Sequence, residues 1–374
     1  MKKFAKMSLV AAVAVAGLTN VSASSLEDAV KNTEISGKVY VEFLSGADNT
    51  ASGSTTGTTD MDFDVTFSTK VNDNVTSVVT LEADSANTEG ADISDQAVGL
   101  DTIKFVYAKN NLTATAGRFS SVAPTDDGDK LEGLSATYKA GVASLFASYG
   151  VTNATTIGDV ANFAIMAPVG PVNLEAWYTV YAPDTTTGKS GVNSDGNVEN
   201  GSDFGKTITA VASTTLEGFN LSARYSATDF NTTGAKDGST LRLDASTTVS
   251  NVTLAATYVS TDKDGGASAH TDAAAANSFE QSQLTMDSLT TTNDLSIWAV
   301  SATVPYNEVT YQVAYANIDA DTANDDATEL RLRATHMMSS NFKVMATYSM
   351  YQEENAGVEV TDNDSTRIEF KYSF

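Results

Sequence analysis

Cysteine is absent from this 374-residue chain, which rules out disulfide stapling and thiolate-held metals. Histidine is nearly absent: only His270 and His336 occur, neither in a recognisable motif, so little supports a Ser-His nucleophile or an enzyme. Cations are scarce, with 22 Lys and Arg against 47 Asp and Glu and a formal net charge of −25. No basic patch is left that could hold nucleic acid. Only five prolines occur, Pro124, Pro168, Pro171, Pro183 and Pro305, and all read as lying in connections, where no ladder hydrogen bond is lost. Beyond the N-terminal leader, no apolar run is long enough for a membrane-spanning helix.

What is present begins with that leader. Lys2, Lys3 and Lys6 precede an apolar run from Ser8 to Leu18, and Val21-Ser22-Ala23 offers small residues for cleavage. Residues 1–23 therefore read as a secretory signal, and 24–374 as one domain. Ser25 to Lys31 has the pattern of a turn or two of amphipathic helix. The remainder is rich in Thr, Val, Tyr, Ser and Ala, with a hydrophobic fraction of only 41 %. It divides into eighteen segments of about 8–12 residues, from 35–44 to 365–374, the length a tilted strand needs to cross a bilayer. Connections between them alternate between short and long. The short ones, such as Asn110-Asn111 and Glu217-Gly218, carry tight-turn residues. The long ones, such as 182–205 and 261–293, are rich in Asp, Asn, Gly, Ser and Thr. The pattern predicts an all-β, antiparallel, up-and-down transmembrane barrel of about 18 strands (16 is the alternative count), with long external loops and short periplasmic turns.

Within most segments the apolar residues fall on one parity, hence on one face. Val39, Val41 and Phe43 alternate with Lys38, Tyr40 and Glu42; Met61, Phe63 and Val65 alternate with Asp62 and Asp64. The final segment alternates most cleanly: Ile368, Phe370, Tyr372 and the terminal Phe374 on one face, Arg367, Glu369 and Lys371 on the other. A strand that ends on a bare Phe suits a barrel closing in lipid and a terminal assembly signal. Segments 142–150, 161–167 and 294–304 are apolar on both parities, so their facing is open. All six arginines sit inside segments: Arg118, Arg224, Arg242, Arg331, Arg333 and Arg367. Five have inward parity, and Arg118 is ambiguous because Gly117 beside it permits a bulge. A positive wall facing the acidic third long loop, with Asp126, Asp127 and Asp129, would set a transverse field at a constriction. The other reading is that the arginines pair with inward carboxylates such as Asp244 and Glu369 and only solvate the wall. Acidic loops, for example Asp319, Asp321, Asp325 and Asp326, suggest a structural Ca²⁺, although the spacing matches no EF-hand and a solvated loop explains it as well.

Three stretches resemble the major outer membrane porins of Campylobacter and its relatives. They are Leu26-Glu27-Asp28-Ala29-Val30-Lys31 followed by Ile35-Ser36-Gly37, then Ala116-Gly117-Arg118, and the aromatic final strand. The resemblance implies an 18-stranded homotrimeric porin with its third loop folded into the lumen, although this third loop is short and unusually acidic. It would be exported to the Gram-negative outer membrane, in contact with lipid and lipopolysaccharide, passing ions and small hydrophilic solutes without a cofactor. The charge balance adds an expectation of weak cation preference. A substrate-specific channel, and a surface adhesin or structural β-protein without a pore, are the alternatives; a barrel hydrolase would need a nucleophile motif that is missing.

Overall fold

The computed structural model describes residues 31–48, 55–88, 98–124, 130–152, 159–182, 191–192, 198–199, 204–230, 237–263, 294–320, 325–355 and 357–374. The first nine strands are β1 (Thr33–Asp48), β2 (Thr55–Asn72), β3 (Val75–Thr88), β4 (Gly99–Lys109), β5 (Leu112–Ser120), β6 (Lys130–Ala140), β7 (Ala143–Thr152), β8 (Asp159–Val169) and β9 (Val172–Ala182). A two-residue hairpin, β10 (Gly191–Val192) and β11 (Val198–Glu199), follows within the connection read as 182–205. The second half holds β12 (Phe204–Leu216), β13 (Phe219–Phe230), β14 (Gly238–Val249), β15 (Val252–Thr261) and β16 (Leu295–Tyr306). It ends with β17 (Val309–Ala320), β18 (Asp325–Met337), β19 (Phe342–Asn355) and β20 (Val358–Ser373).

Apart from β10 and β11, the strands form one 18-stranded sheet in which each bonds antiparallel to its chain neighbours. β9 bonds to β12, and β1 bonds to both β2 and β20, so the sheet closes into a barrel without an edge. Closure satisfies every ladder, the condition for a sheet to stand in hydrocarbon. The tight turns lie where they were read. Left-handed backbone at Asn110, Glu217, Ser250 and Asn307 lets two strands reverse within a few residues. Pro168 and Pro305 correct the reading of the prolines: they lie near the ends of β8 and β16 and not in connections. Each is the next-to-last residue of its strand, where the ladder gives way to the turn. Several strands also run further toward the long loops than hydrophobicity indicated, because stretches such as Thr55–Asp60 pair without apolar residues.

Outward residues form an apolar belt. Phe43, Leu134, Tyr149, Phe163, Ile165 and Leu332 are all exposed, an arrangement that water would penalise and lipid favours. Among the described residues the inward ones are mostly polar, with three apolar exceptions. Val259, Leu295, Ile297, Ala314 and Ile318 form one buried patch; Phe119, Leu131, Val160 and Tyr181 form another; Ala123, Phe146 and Trp177 form a third. These patches settle the strands that were apolar on both parities. In β16, Ile297 and Ala299 turn inward while Trp298 and Val300 turn outward, because part of the inner wall is itself packed.

Candidate functional site

The inner wall is set by register. Glu42 of β1, Asp62 and Asp64 of β2, and Glu82 of β3 stand on inward parity near mid-strand. Lys38 lies opposite Asp64 and points its Nζ at Asp62 Oδ2 (2.6 Å) and Asp64 Oδ2 (3.0 Å). Carboxylate oxygens of Asp62, Asp64 and Glu82 come within 4.8 Å of one another. Such a set of hard oxygens suits a cation, and the Lys38 ammonium already compensates part of its charge. All four side chains are half-buried, so this acidic arc faces the water of the lumen.

Halfway round the ring, nine of the 18 strands from β2 and β3, lie β13 and β14. Their inward residues Arg224 and Arg242 are direct cross-strand partners. Asp244 chelates Arg242, with Nε to Oδ2 at 3.0 Å and Nη2 to Oδ1 at 3.1 Å, while Thr257 Oγ1 donates to Asp244 at 2.8 Å. On β18, Arg331 is fully buried and donates to Gln312 Oε1 at 3.4 Å; Arg333 donates to Thr347 Oγ1 at 3.3 Å. On β20, Arg367 pairs with Glu42 at 3.4 Å. At that seam Glu42 stands directly opposite Glu369, and the Tyr40 hydroxyl donates to both carboxylates. Both readings of the arginines thus have a physical basis: several are paired, and Arg224, Arg242, Arg331 and Arg333 stand on walls away from the acidic arc, whereas Arg367 pairs beside it with Glu42.

Arg118 is placed elsewhere. It pairs in register with Ile103 and Glu132, on the outward parity, at the long-loop end of β5. Its Nε donates to the Asp101 carbonyl at 2.8 Å, and its Nη1 meets Glu132 at 3.3 Å. Gly117 has a positive φ of 126°, and a Cβ there would meet the Ile103 carbonyl at 2.1 Å, yet the ladder keeps its register and makes no bulge. Alternation is therefore kept, and Arg118 turns away from the lumen.

The first residues of the third loop, Ser121–Pro124, lie against the inner wall. Ser121, Ala123 and Pro124 are buried, and Ala123 packs on Phe146 and Trp177, which point inward from β7 and β9. Asp126, Asp127 and Asp129 lie outside the described residues, as do Asp321, His270 and the leader. Asp319 and Asp325-Asp326 stand in β17 and β18, so they are not loop residues. His336 is the next-to-last residue of β18, with Nδ1 3.0 Å from the Glu308 carbonyl. The final strand presents Ile368, Phe370, Tyr372 and Phe374 outward: Phe370 meets Phe43 edge-on at 6.4 Å, and Tyr372 stacks on Phe374 at 5.9 Å. Phe374 exchanges two 3.0 Å backbone hydrogen bonds with Gly37.

Sequence reasoning named Asp62 and Asp64 only as inward polar residues and missed Glu82. The available signal was Asp60-x-Asp62-x-Asp64, three carboxylates on one face of one strand. Tight grouping of like charge mid-strand points to an aqueous wall, since hydrocarbon would not bear it.

Comparison with known proteins agrees with this geometry. A family model described as Gram-negative porin matches residues 8–356. No curated protein matches the chain. Among solved structures, OccK9 (OpdG) of Pseudomonas aeruginosa aligns with a TM-score of 0.70 at 12% identity, covering 92% of this chain and 99% of that one. OccAB4 of Acinetobacter baumannii aligns at 0.64 and 12%, with coverages of 92% and 99%. OprD of Pseudomonas aeruginosa aligns at 0.63 and 11%, with coverages of 92% and 95%. At such identities the likeness is one of fold.

Proposed function

The chain belongs to the Gram-negative porin family and is an integral channel of the outer membrane, and we propose that it passes ions and small hydrophilic solutes by passive diffusion with a weak preference for cations. One observation carries the ion preference. Three carboxylates gather on β2 and β3 and Lys38 pairs with two of them, Asp62 and Asp64, whereas on the facing wall one of the two guanidiniums is already chelated by Asp244. An excess of fixed negative charge beside water raises the local cation concentration, and opposed arcs orient dipolar solutes across the path. Inward aromatics do not favour a substrate-specific track: Trp177 and Tyr181 are buried, while Tyr40 and Tyr351 stand on β1 and β19.

In this reading Asp126, Asp127 and Asp129 add negative charge from the third loop, and the assembly is a homotrimer seated in lipid and lipopolysaccharide. The wide apolar outer belt supports both surroundings. No cofactor belongs to this reading, and thermal unfolding with and without EGTA tests the alternative of a structural Ca²⁺ at the acidic loops. The main test is the reversal potential of the purified protein in a planar bilayer under a salt gradient. Potassium should be preferred over chloride, and the combined changes Asp62→Asn, Asp64→Asn and Glu82→Gln should move the reversal potential toward anions without closing the pore. Chloride preference in the unaltered channel would refute the proposal. An unboiled gel or native mass spectrum checks the trimer.

A further inference from the structure

Charge in this barrel is uneven along its axis as well as around its ring. At the long-loop end of β15 to β20, Asp262, Asp294, Asp319, Asp326, Glu354 and Glu359 are all exposed. Cations are few at that end, and Arg118, Lys130 and Lys206 are each held by a carboxylate, of Glu132, Asp101 and Asp229 in turn. The lining at the short-turn end has the opposite bias. Lys70, Lys139, Lys343 and Lys371 have inward parity and stand near the short-turn ends of β2, β6, β19 and β20. Lys343 and Lys371 are direct cross-strand partners. Like charges so placed repel and weaken a sheet, so folding alone does not call for the pair. None of the four lysines forms an ion pair with a described residue. Glu34 shares this lining, and Asp73, Glu217 and Glu308 stand in the turns, so this mouth is close to neutral.

Strand β19 shows the contrast by itself. Lys343 and Glu353 share its inward parity at opposite ends, and Glu353 accepts the Tyr351 hydroxyl at 3.1 Å. They are about 34 Å apart along the strand, and roughly 26 Å apart along the axis at the usual tilt of about 40°. That exceeds the screening length of about 10 Å at 0.1 M salt, so each mouth answers to its own charges. We propose that the channel rectifies, carrying more current when the long-loop side is positive than when it is negative. The acidic mouth admits chiefly cations, whereas the lysine-lined mouth admits both ions. With the long-loop side positive, the field drives cations in through the acidic mouth and anions in through the other. They meet inside, salt accumulates and conductance rises. Reversed polarity draws both ions out of the interior. The acidic mouth then readmits no anions, and conductance falls.

This inference rests on the channel reading above, and its test is the current–voltage curve of single channels in symmetric potassium chloride. The chain has no cysteine of its own, and Val142, in the turn after β6, is 78% exposed. Val142→Cys carrying biotin therefore marks the short-turn mouth, because streptavidin changes the current only from the chamber that this mouth faces. In about 0.1 M salt the current should be larger with the long-loop side positive. In about 1 M salt, where screening shortens to about 3 Å, the asymmetry should be lost. Lys343→Gln with Lys371→Gln should lower the asymmetry and raise the cation preference. Asp262→Asn, Asp294→Asn, Asp319→Asn and Asp326→Asn together should lower both. Heat-modifiable gel mobility reports which variants fold, and either set decides the matter if the other does not. Equal currents at both polarities in dilute salt, or a larger current with the long-loop side negative, overturn the inference. So does an asymmetry that no folded variant alters. A linear curve from a channel that prefers potassium leaves the proposed function standing, whereas chloride preference refutes that function and the rectification together.

Discussion

Lys38 sits between two carboxylates on a wall with a third nearby, and its removal tests how the acidic arc is held. Each pair is partly solvated, so an individual contact is worth at most about 1 kcal/mol. Removing the ammonium also leaves three like charges crowded mid-strand, which adds repulsion. Lys38→Met should lower the thermal midpoint of the detergent-solubilised barrel and raise the cation preference. Asp64→Asn in the same chain should reverse both. An unchanged midpoint and unchanged reversal potential would show that water alone compensates the arc. The parity of Lys38, Asp62 and Asp64 was legible, because alternation along one strand needs no partner. Glu82 was not, because its place beside Asp64 depends on cross-strand register. Arg118 was not legible either: Gly117 allowed a bulge, and only the intact ladder shows that none is made.

At the scale of the strand, the seam between β1 and β20 combines the chain's clearest signal with a residue that offered none. The alternating aromatics of the last strand announced its outer face. Gly37 opposite gave no hint, yet a Cβ there would stand 2.6 Å from the Phe374 ring and 2.3 Å from the Asp64 carbonyl oxygen. The ring can swing aside, but the carbonyl belongs to the β1–β2 ladder and cannot move without it. Gly37→Ala should therefore impair closure more than Phe374→Ala, and Phe374→Ala should not rescue it. Deleting Phe374 should leave the chain periplasmic and open to protease. Heat-modifiable mobility of membrane fractions measures all of these, and wild-type levels of folded Gly37→Ala would contradict the argument. The eighteen strands themselves were readable because tight-turn residues punctuate them. Besides Arg118 on β5, facing was left open on β7, β8 and β16, where alternation is lost to inward packing that one sequence does not reveal.

For the whole molecule, length alternation predicts sidedness: an epitope inserted at Asp195 should be stained on intact cells, and one at Asp73 should not. The same topology decides how the charges act together. Ring closure brings β2 and β3 opposite β13 and β14, a juxtaposition invisible in a linear reading, although each charge was present in its own strand. The arcs oppose one another across the water path, so the net preference is a difference between them, added to a chain charge of −25. Fixed charges lining an aqueous path are screened over about 10 Å at 0.1 M salt and about 3 Å at 1 M. The cation preference should therefore be largest in dilute salt and fade toward molar salt. Changing Arg224 and Arg242 together to Gln removes the facing positive arc and frees Asp244 from its chelated partner. That double variant should strengthen the cation preference in dilute salt and change it little in concentrated salt. Arg331→Gln with Arg333→Gln should act in the same direction but less, since Arg331 is fully buried. If the first pair leaves the reversal potential unmoved at low salt while the Asp62, Asp64 and Glu82 variants shift it, the arginine arc only solvates its own wall and the acidic arc alone sets the preference.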